Sequence, residues 1–214
     1  MSILNQKTIN NKITFNGTGL HTGKSVQLNL IPSPPNTGII FKRIDIKDNN
    51  VVLPSFDNVV DTTLCTTLSN EHGIKVSTVE HLMGALYGLG VDNLVVEVNS
   101  QELPILDGSA KNFIEKISLT GIEVSNSPIK IIKINKEVNI SEGKRFISIK
   151  PSTLSLDIDF ELKYQNPIIG NQRNKFKIYE DDLSDVYNSR TYCLFEDIEK
   201  IKKNGLAKGG SLDN

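Results

Sequence analysis

The chain has 214 residues, 38% hydrophobic and 6% aromatic with no tryptophan, and its 24 basic and 25 acidic residues leave a formal net charge of −1. That length supports one large domain or two small ones around a sizeable core, and the balanced, dispersed charge excludes a broad field for nucleic acid. No run of about 18 apolar residues is present to span a bilayer, so any membrane contact is expected to be peripheral.

Cys65 and Cys193 stand far apart without a C-x-x-C partner, which points to a reduced, cytoplasmic setting. The opening MSILNQKTINNK lacks the apolar centre of a signal peptide. The first marked segment is NGTGLHTGKS, residues 16–25. A phosphate loop requires G-x-x-x-x-G-K-[ST], but counting back five from Gly23 lands on Thr18, between Gly17 and Gly19. After Lys24 comes SVQLNL, a strand pattern, whereas a phosphate loop feeds a helix. The segment therefore reads as a Gly-rich hairpin turn with His21 and Lys24 near its tip, and on this reading alone His21 is plain surface.

SVQLNLIP and NLVVEVN read as strands from their β-branched content and alternation. Between them, VSTVEHLMGAL opens a helix predicted over 77–89. Val79, Leu82, Met83 and Leu86 form its buried stripe, and His81 points away, sharing a face with Gly84, Ala85 and Gly88. Glycine in a helix costs about 1 kcal/mol relative to alanine, so that face reads as one that a ligand or a second backbone approaches closely. Glu80 has a purely structural reading too, because Ser77-x-x-Glu80 fits a capping box. His72, in the polar turn SNEHG, is expected in solvent. A second helix is predicted over 109–120, with Ala110, Phe113, Ile114 and Ile117 at helical spacing, Ser109 or Asp107 as cap and Gly121 as stop.

A boundary near 124–128 divides the chain into a first domain, 1–125, carrying the His81 helix, and a second, 126–214. In the second, IKIIKINKEVNI, RFISIKP and LSLDIDFELKY read as three strands, NPIIGNQRNK as a polar loop and FEDIEKIKKNG as a helix. The expected fold is α+β: two similar two-layer domains, each a sheet with helices on one face. The second has fewer helices and ends on GLAKGGSLDN, so it is expected to be incomplete, the sequence a fragment, and apolar surface to be exposed.

Taken together, GTGLHTGK (17–24), PPNTGIIFKR (34–43), DTTLCTTL (61–68), STVEHLMGALYGLGVDN (77–93), ELPILDGSAKNF (102–113), NQR (171–173) and GLAKGGSLDN (205–214) resemble the zinc-dependent UDP-3-O-acyl-N-acetylglucosamine deacetylases of lipid A biosynthesis. The resemblance implies that His81 is a zinc ligand and Glu80 the base acting on metal-bound water. It implies that the Thr191 hydroxyl supports the oxyanion and that Tyr164 lies against uracil. His21 and Lys144 or Arg145 would serve the nucleotide or diphosphate end, and Tyr192, Gly210 and Ser211 the acyl passage, which Gly209, Gly210 and Ser211 help to wall. The implied substrate is a UDP-linked acylated glucosamine, the cofactor Zn²⁺, and the full-length protein a monomer. The chain departs from the family at Tyr192-Cys193, where Phe-Gly is usual, and it lacks the H-K-x-x-x-D helix and later histidine that supply the remaining metal ligands and a catalytic imidazole. One ligand does not hold a catalytic zinc, which takes three plus water. The polypeptide alone is therefore expected to bind zinc weakly and turn over little, and the alternative reading is a non-catalytic nucleotide-sugar-binding remnant.

Overall fold

The computed structural model describes residues 5–153 and 156–214. They form two compact units: one takes in the described residues up to Ile129 together with Val186–Asn214, the other is Lys130–Asp185.

The first unit opens with β1 (Asn5–Ile9), β2 (Ile13–Thr18), β3 (Ser25–Pro32), β4 (Ile39–Arg43) and β5 (Val51–Val52). Three short strands follow, β6 (Val59–Asp61), β7 (Thr67–Ser69) and β8 (Lys75–Ser77), then α1 (Glu80–Leu89), β9 (Leu94–Val98), α2 (Lys111–Thr120) and β10 (Ile122–Pro128). The main sheet has the order β2-β3-β9-β4-β5, antiparallel except where β4 runs parallel to β9. Strand β3 shows why: Val26, Leu28 and Leu30 point into the core at period two while Ser25 and Gln27 face solvent. Register then sets Leu28 opposite Val98 and Leu30 opposite Val96, all fully buried. Leu82, Ala85 and Leu86 of α1 and Phe113 and Ile117 of α2 join the same core, and Phe113 meets Phe15 at a ring-centroid distance of 5.0 Å. Strands β6, β7 and β8 make a second sheet, and β1 pairs with β10.

Strand β10 changes the expected order at the junction. Residues 122–128 complete a ladder with β1, Ile9 opposite Ile122 and Lys7 opposite Val124, so the region read as a boundary is a strand of the first unit.

The second unit holds two separate hairpins. In one, β11 (Val138–Glu142) pairs with β12 (Arg145–Ile149); in the other, β13 (Asp157–Lys163) pairs with β14 (Asn171–Lys177). The strand expected over 129–140 is thus confined to its last residues. The segment read as the loop NPIIGNQRNK is only half loop. Asn166–Gly170 turns the chain, with Gly170 at φ 57°, and the polar residues from Asn171 onward pair residue for residue with β13. Polarity misleads there because both faces of this hairpin are largely exposed, so no alternation is imposed. Of the predicted strand 154–164, residues 154 and 155 lie outside the described residues. Ile140, Phe146, Ile147 and Ile168 are more than half exposed.

The division between the units falls within α3 (Ser184–Asn188), and α4 (Phe195–Lys203) follows. Residues 186–214, which the sequence groups with the second half, hydrogen-bond to the first unit: Ala110 N to Tyr187 O at 3.1 Å, Thr191 N to Gly108 O at 2.8 Å and Gly209 N to Leu20 O at 2.9 Å. The chain is α+β.

Candidate active site

Helix α1 starts at Glu80, three residues later than predicted, and the strand before it explains the delay. Ser77 belongs to β8 and is clamped to a neighbouring segment: its N–H donates to Gln101 O at 2.9 Å, its hydroxyl to the same oxygen at 3.1 Å, and its carbonyl accepts from Leu103 N at 3.1 Å. Thr78 then turns the chain at φ 58°, a left-handed conformation unusual for a β-branched residue, and its hydroxyl donates to Glu102 Oε1 at 3.1 Å. The capping box therefore does not form. Val79 occupies the cap position and makes no side-chain cap bond, and Ser77 is used elsewhere. The Glu80 carboxylate is exposed and accepts from Thr66 N at 3.0 Å.

His81 is half-buried one residue further on. Burial pushes its imidazole below the ordinary value, and the nearby Glu80 and Asp107 carboxylates only partly offset this, so the ring is neutral at pH 7 with a nitrogen lone pair to offer. The face it was grouped with divides. Gly84 and Gly88 are exposed, and a Cβ built on either meets nothing within 4 Å, whereas Ala85 is fully buried in the core. The glycines leave open space, and no neighbour within the chain requires them.

The loop after Ile105 supplies the third group. Asp107 accepts from the Ser109 N–H at 3.1 Å and the Ser109 hydroxyl at 2.8 Å. Burial raises its proton affinity, but these bonds and one from Asn112 outweigh it and hold the carboxyl below its usual range. The carbonyl of Gly108, beside it, accepts from Thr191 N at 2.8 Å, and a Cβ built on Gly108 would lie 3.7 Å from the Thr191 methyl group. Glu80, His81, Asp107 and Thr191 are thus brought to one region, and of these Asp107 was legible in the sequence only as a helix cap.

His21 is not on the surface. It is 8% exposed, in the turn between β2 and β3, and its N–H donates to Glu102 Oε1 at 2.8 Å. Glu102, fully buried, also accepts from Thr22 N at 2.8 Å, so one carboxylate collects two turn amides and the Thr78 hydroxyl. Glu102 went unnoticed because an acid in the apolar string ELPIL has no partner within reach in sequence. Gly19 is required there, since any Cβ would collide with the Glu102 carboxylate. The tail closes over the turn: Ala207 N donates to His21 Nδ1 at 3.4 Å, Gly210 N to Ala207 O at 3.2 Å and Ser211 N to Asn214 Oδ1 at 2.9 Å. Tyr192 is exposed next to Thr191. Lys144 and Tyr164 belong to the second unit, Lys144 in the turn between β11 and β12 and Tyr164 just past β13 with its N–H on Gly170 O at 3.0 Å. His72 is exposed, 3.4 Å from Glu71.

A catalytic zinc takes three protein ligands and a water. Among the described residues no group of three His, Cys, Asp or Glu side chains is placed to hold a metal ion, so they do not fit a complete zinc site.

Glu80 and His81 thus open α1 on an α+β frame, with Asp107 near His81 and Thr191 bonded to the neighbouring Gly108. The chain belongs to the LpxC, UDP-3-O-acyl N-acetylglycosamine deacetylase, family, whose model matches residues 6–214. It is 39% identical over 215 residues to the UDP-3-O-acyl-N-acetylglucosamine deacetylase of Actinobacillus pleuropneumoniae serotype 3, covering 99% of this chain and 70% of that protein. It is 40% identical over 215 residues to the deacetylase of the same name from Haemophilus ducreyi, with the same coverage. No helix among the described residues is long and apolar enough to cross a membrane.

Proposed function

We propose that the protein carrying this sequence hydrolyses the 2-acetamido group of UDP-3-O-(3-hydroxyacyl)-N-acetylglucosamine, releasing acetate for lipid A biosynthesis, and does so as a monomer in the cytoplasm. The observation that carries this is the family match across residues 6–214. The free thiols of Cys65 and Cys193 support a reduced compartment. In this reading Glu80 is the general base: its carboxylate takes a proton from water as oxygen adds to the acetamido carbon, then returns it to the departing amine. Glu80 suits the role because no capping bond claims it and the Thr66 N–H orients it. The Thr191 hydroxyl donates to the oxyanion of the tetrahedral intermediate. His81 is read as one ligand of a Zn²⁺ ion; since the described residues do not complete that site, no step is assigned to the metal. His21 and Lys144 are read as serving the nucleotide-diphosphate end, Tyr164 the uracil, and Tyr192, Gly210 and Ser211 the acyl chain.

The test is a pair of variants. Glu80→Gln is expected to lower kcat by about 10²–10⁴-fold with metal content kept, and His81→Ala to lose metal and activity together. Equal metal content in both with unchanged turnover would defeat the assigned roles. The incomplete metal group favours one second reading, a nucleotide-sugar-binding module without catalysis. It predicts calorimetric binding of the UDP-sugar with no acetate released at any zinc concentration.

A further inference from the structure

The hydrolysis proposed above works through Glu80 and His81, and the turn that delivers them is one that its own residue type resists. Thr78 stands at φ 58°, which crowds a β-branched side chain, and from it the chain swings out of β8 into α1. Val79, at the cap position, adds no side-chain bond. The support comes from across the fold: the buried Thr78 hydroxyl donates to Oε1 of the fully buried Glu102 at 3.1 Å.

Glu102 is itself fixed from both sides. Ser77 N donates to Gln101 O at 2.9 Å and Leu103 N to Ser77 O at 3.1 Å, while Ile105 N donates to Thr18 O at 3.0 Å and Pro104 bridges to Gly19. Its Oε1 also accepts from His21 N, and its Oε2 from Thr22 N, each at 2.8 Å. A carboxylate held by several charge-assisted bonds keeps one orientation, which makes it a firm anchor for a single hydroxyl.

We propose that Glu102 is a positioning residue for the hydrolysis: through the Thr78 hydroxyl it holds the left-handed turn and so sets how α1 presents Glu80 and His81. The roles of those two residues rest on the reading given above. Thr67 pairs with Ser77 across β7 and β8, so Thr66 stays with β8 when α1 shifts. A change of turn at Thr78 therefore draws Glu80 off its bond to Thr66 N, 3.0 Å long, without disturbing either strand.

The test separates this role from plain packing. Thr78→Val removes the hydroxyl and keeps the shape and the β-branching. It is expected to lower kcat for acetate release by about 10–100-fold with KM held within about threefold, since groups are misplaced while substrate contacts remain. Thr78→Ser, which keeps the hydroxyl, is expected to stay within about threefold of wild-type kcat. Glu102→Asp withdraws the carboxylate and is expected to behave as Thr78→Val does. Adding Thr78→Gly to Glu102→Asp is then expected to restore kcat at least about fivefold, because glycine holds a positive φ unaided, although thermal stability stays below wild type. A readout independent of turnover is hydrogen exchange by NMR at Met83, whose N–H closes the first turn of α1 on Val79 O at 2.9 Å. In Thr78→Val that amide is expected to exchange at least about tenfold faster while the β3 amides keep their rates. Full kcat in Thr78→Val overturns the proposal, as does a folded Glu102→Asp protein whose kcat Thr78→Gly leaves depressed. Wild-type protein that releases no acetate counts against the deacetylase reading alone; the Met83 amide then decides, and unchanged protection in Thr78→Val overturns the positioning role.

Discussion

Glu102 and Arg43 carry the charges most deeply set in the first unit, and each is satisfied in its own way. Glu102 takes backbone amides and a hydroxyl. Arg43, 8% exposed, instead forks onto Asp45, Nε to Oδ1 at 2.8 Å and the terminal nitrogen to Oδ2 at 2.6 Å, and donates a further bond to Lys75 O. The Arg43 bond, then its charge, outweigh burial and hold the Asp45 carboxyl below its ordinary value. A depressed carboxyl contributes stability that is complete above the unfolded value of about 3.9 and disappears as pH falls through the lower folded value. Asp45→Asn is therefore expected to cost about 1 kcal/mol at pH 7, a figure kept small because the Asp45 side chain is one-third exposed. In urea titrations the difference from wild type should narrow as pH falls below the unfolded value of about 3.9; a constant difference across pH would mean that the carboxylate charge is irrelevant. At this scale local spacing sets Glu80 and His81 side by side at a helix start, and it gives no sign of where His21 and Glu102 are placed. Their roles depend on contacts 81 residues apart, as between His21 and Glu102, which no local pattern encodes.

Helix α1 shows both what periodicity reads well and where it fails. Its buried side came out nearly right, with Leu82 and Leu86 fully inside, because apolar spacing at 3.6 residues reports a face directly. Its start came out three residues early, because Ser77 has a β-ladder partner that a capping motif could not reveal. Gly84 and Gly88 lie on open surface with room for a methyl group. Gly84→Ala and Gly88→Ala are each expected to stabilise the chain by about 0.5–1 kcal/mol, since alanine spares backbone entropy and nothing is displaced. Thermal unfolding checks this. If the bare face serves substrate in the active protein, KM should rise while stability improves, and a loss of stability would show that the face is in fact covered. By contrast Gly90, at φ 68° and ending α1, should not tolerate alanine without a loss of about 1 kcal/mol.

The two units differ in how much they bury. In the first, β3 and β9 lie in the middle of a five-stranded sheet under two helices, and Leu28, Leu30, Leu94, Val96 and Val98 are wholly enclosed. In the second, β11 and β12 are exposed along their length, and β13 and β14 rest on surface ion pairs such as Arg173 to Asp159 at 2.8 Å and on the edge-to-face contact of Phe160 with Phe176 at 6.3 Å. Lone hairpins are marginal in water, and exposed ion pairs add little. Amides of β11–β14 are expected to exchange with deuterium at least about 100-fold faster than those of β3 and β9, read by peptide mass spectrometry. Comparable protection in both would show that the hairpins have partners of their own. The strands of this unit were partly legible, because β13 alternates, but β14 was not, since a strand of Asn, Gln, Arg and Lys has no apolar face to announce it.

Because a single carboxylate terminates donors from residues 21, 22 and 78, the turn after β2 and the approach to α1 share one latch. Neither can fray alone without stranding that negative charge in a dry interior. The deuterium clocks of the His21 and Thr22 amides should accordingly tick together, and the segment that presents Glu80 and His81 should be as rigid as the barrier to releasing that latch.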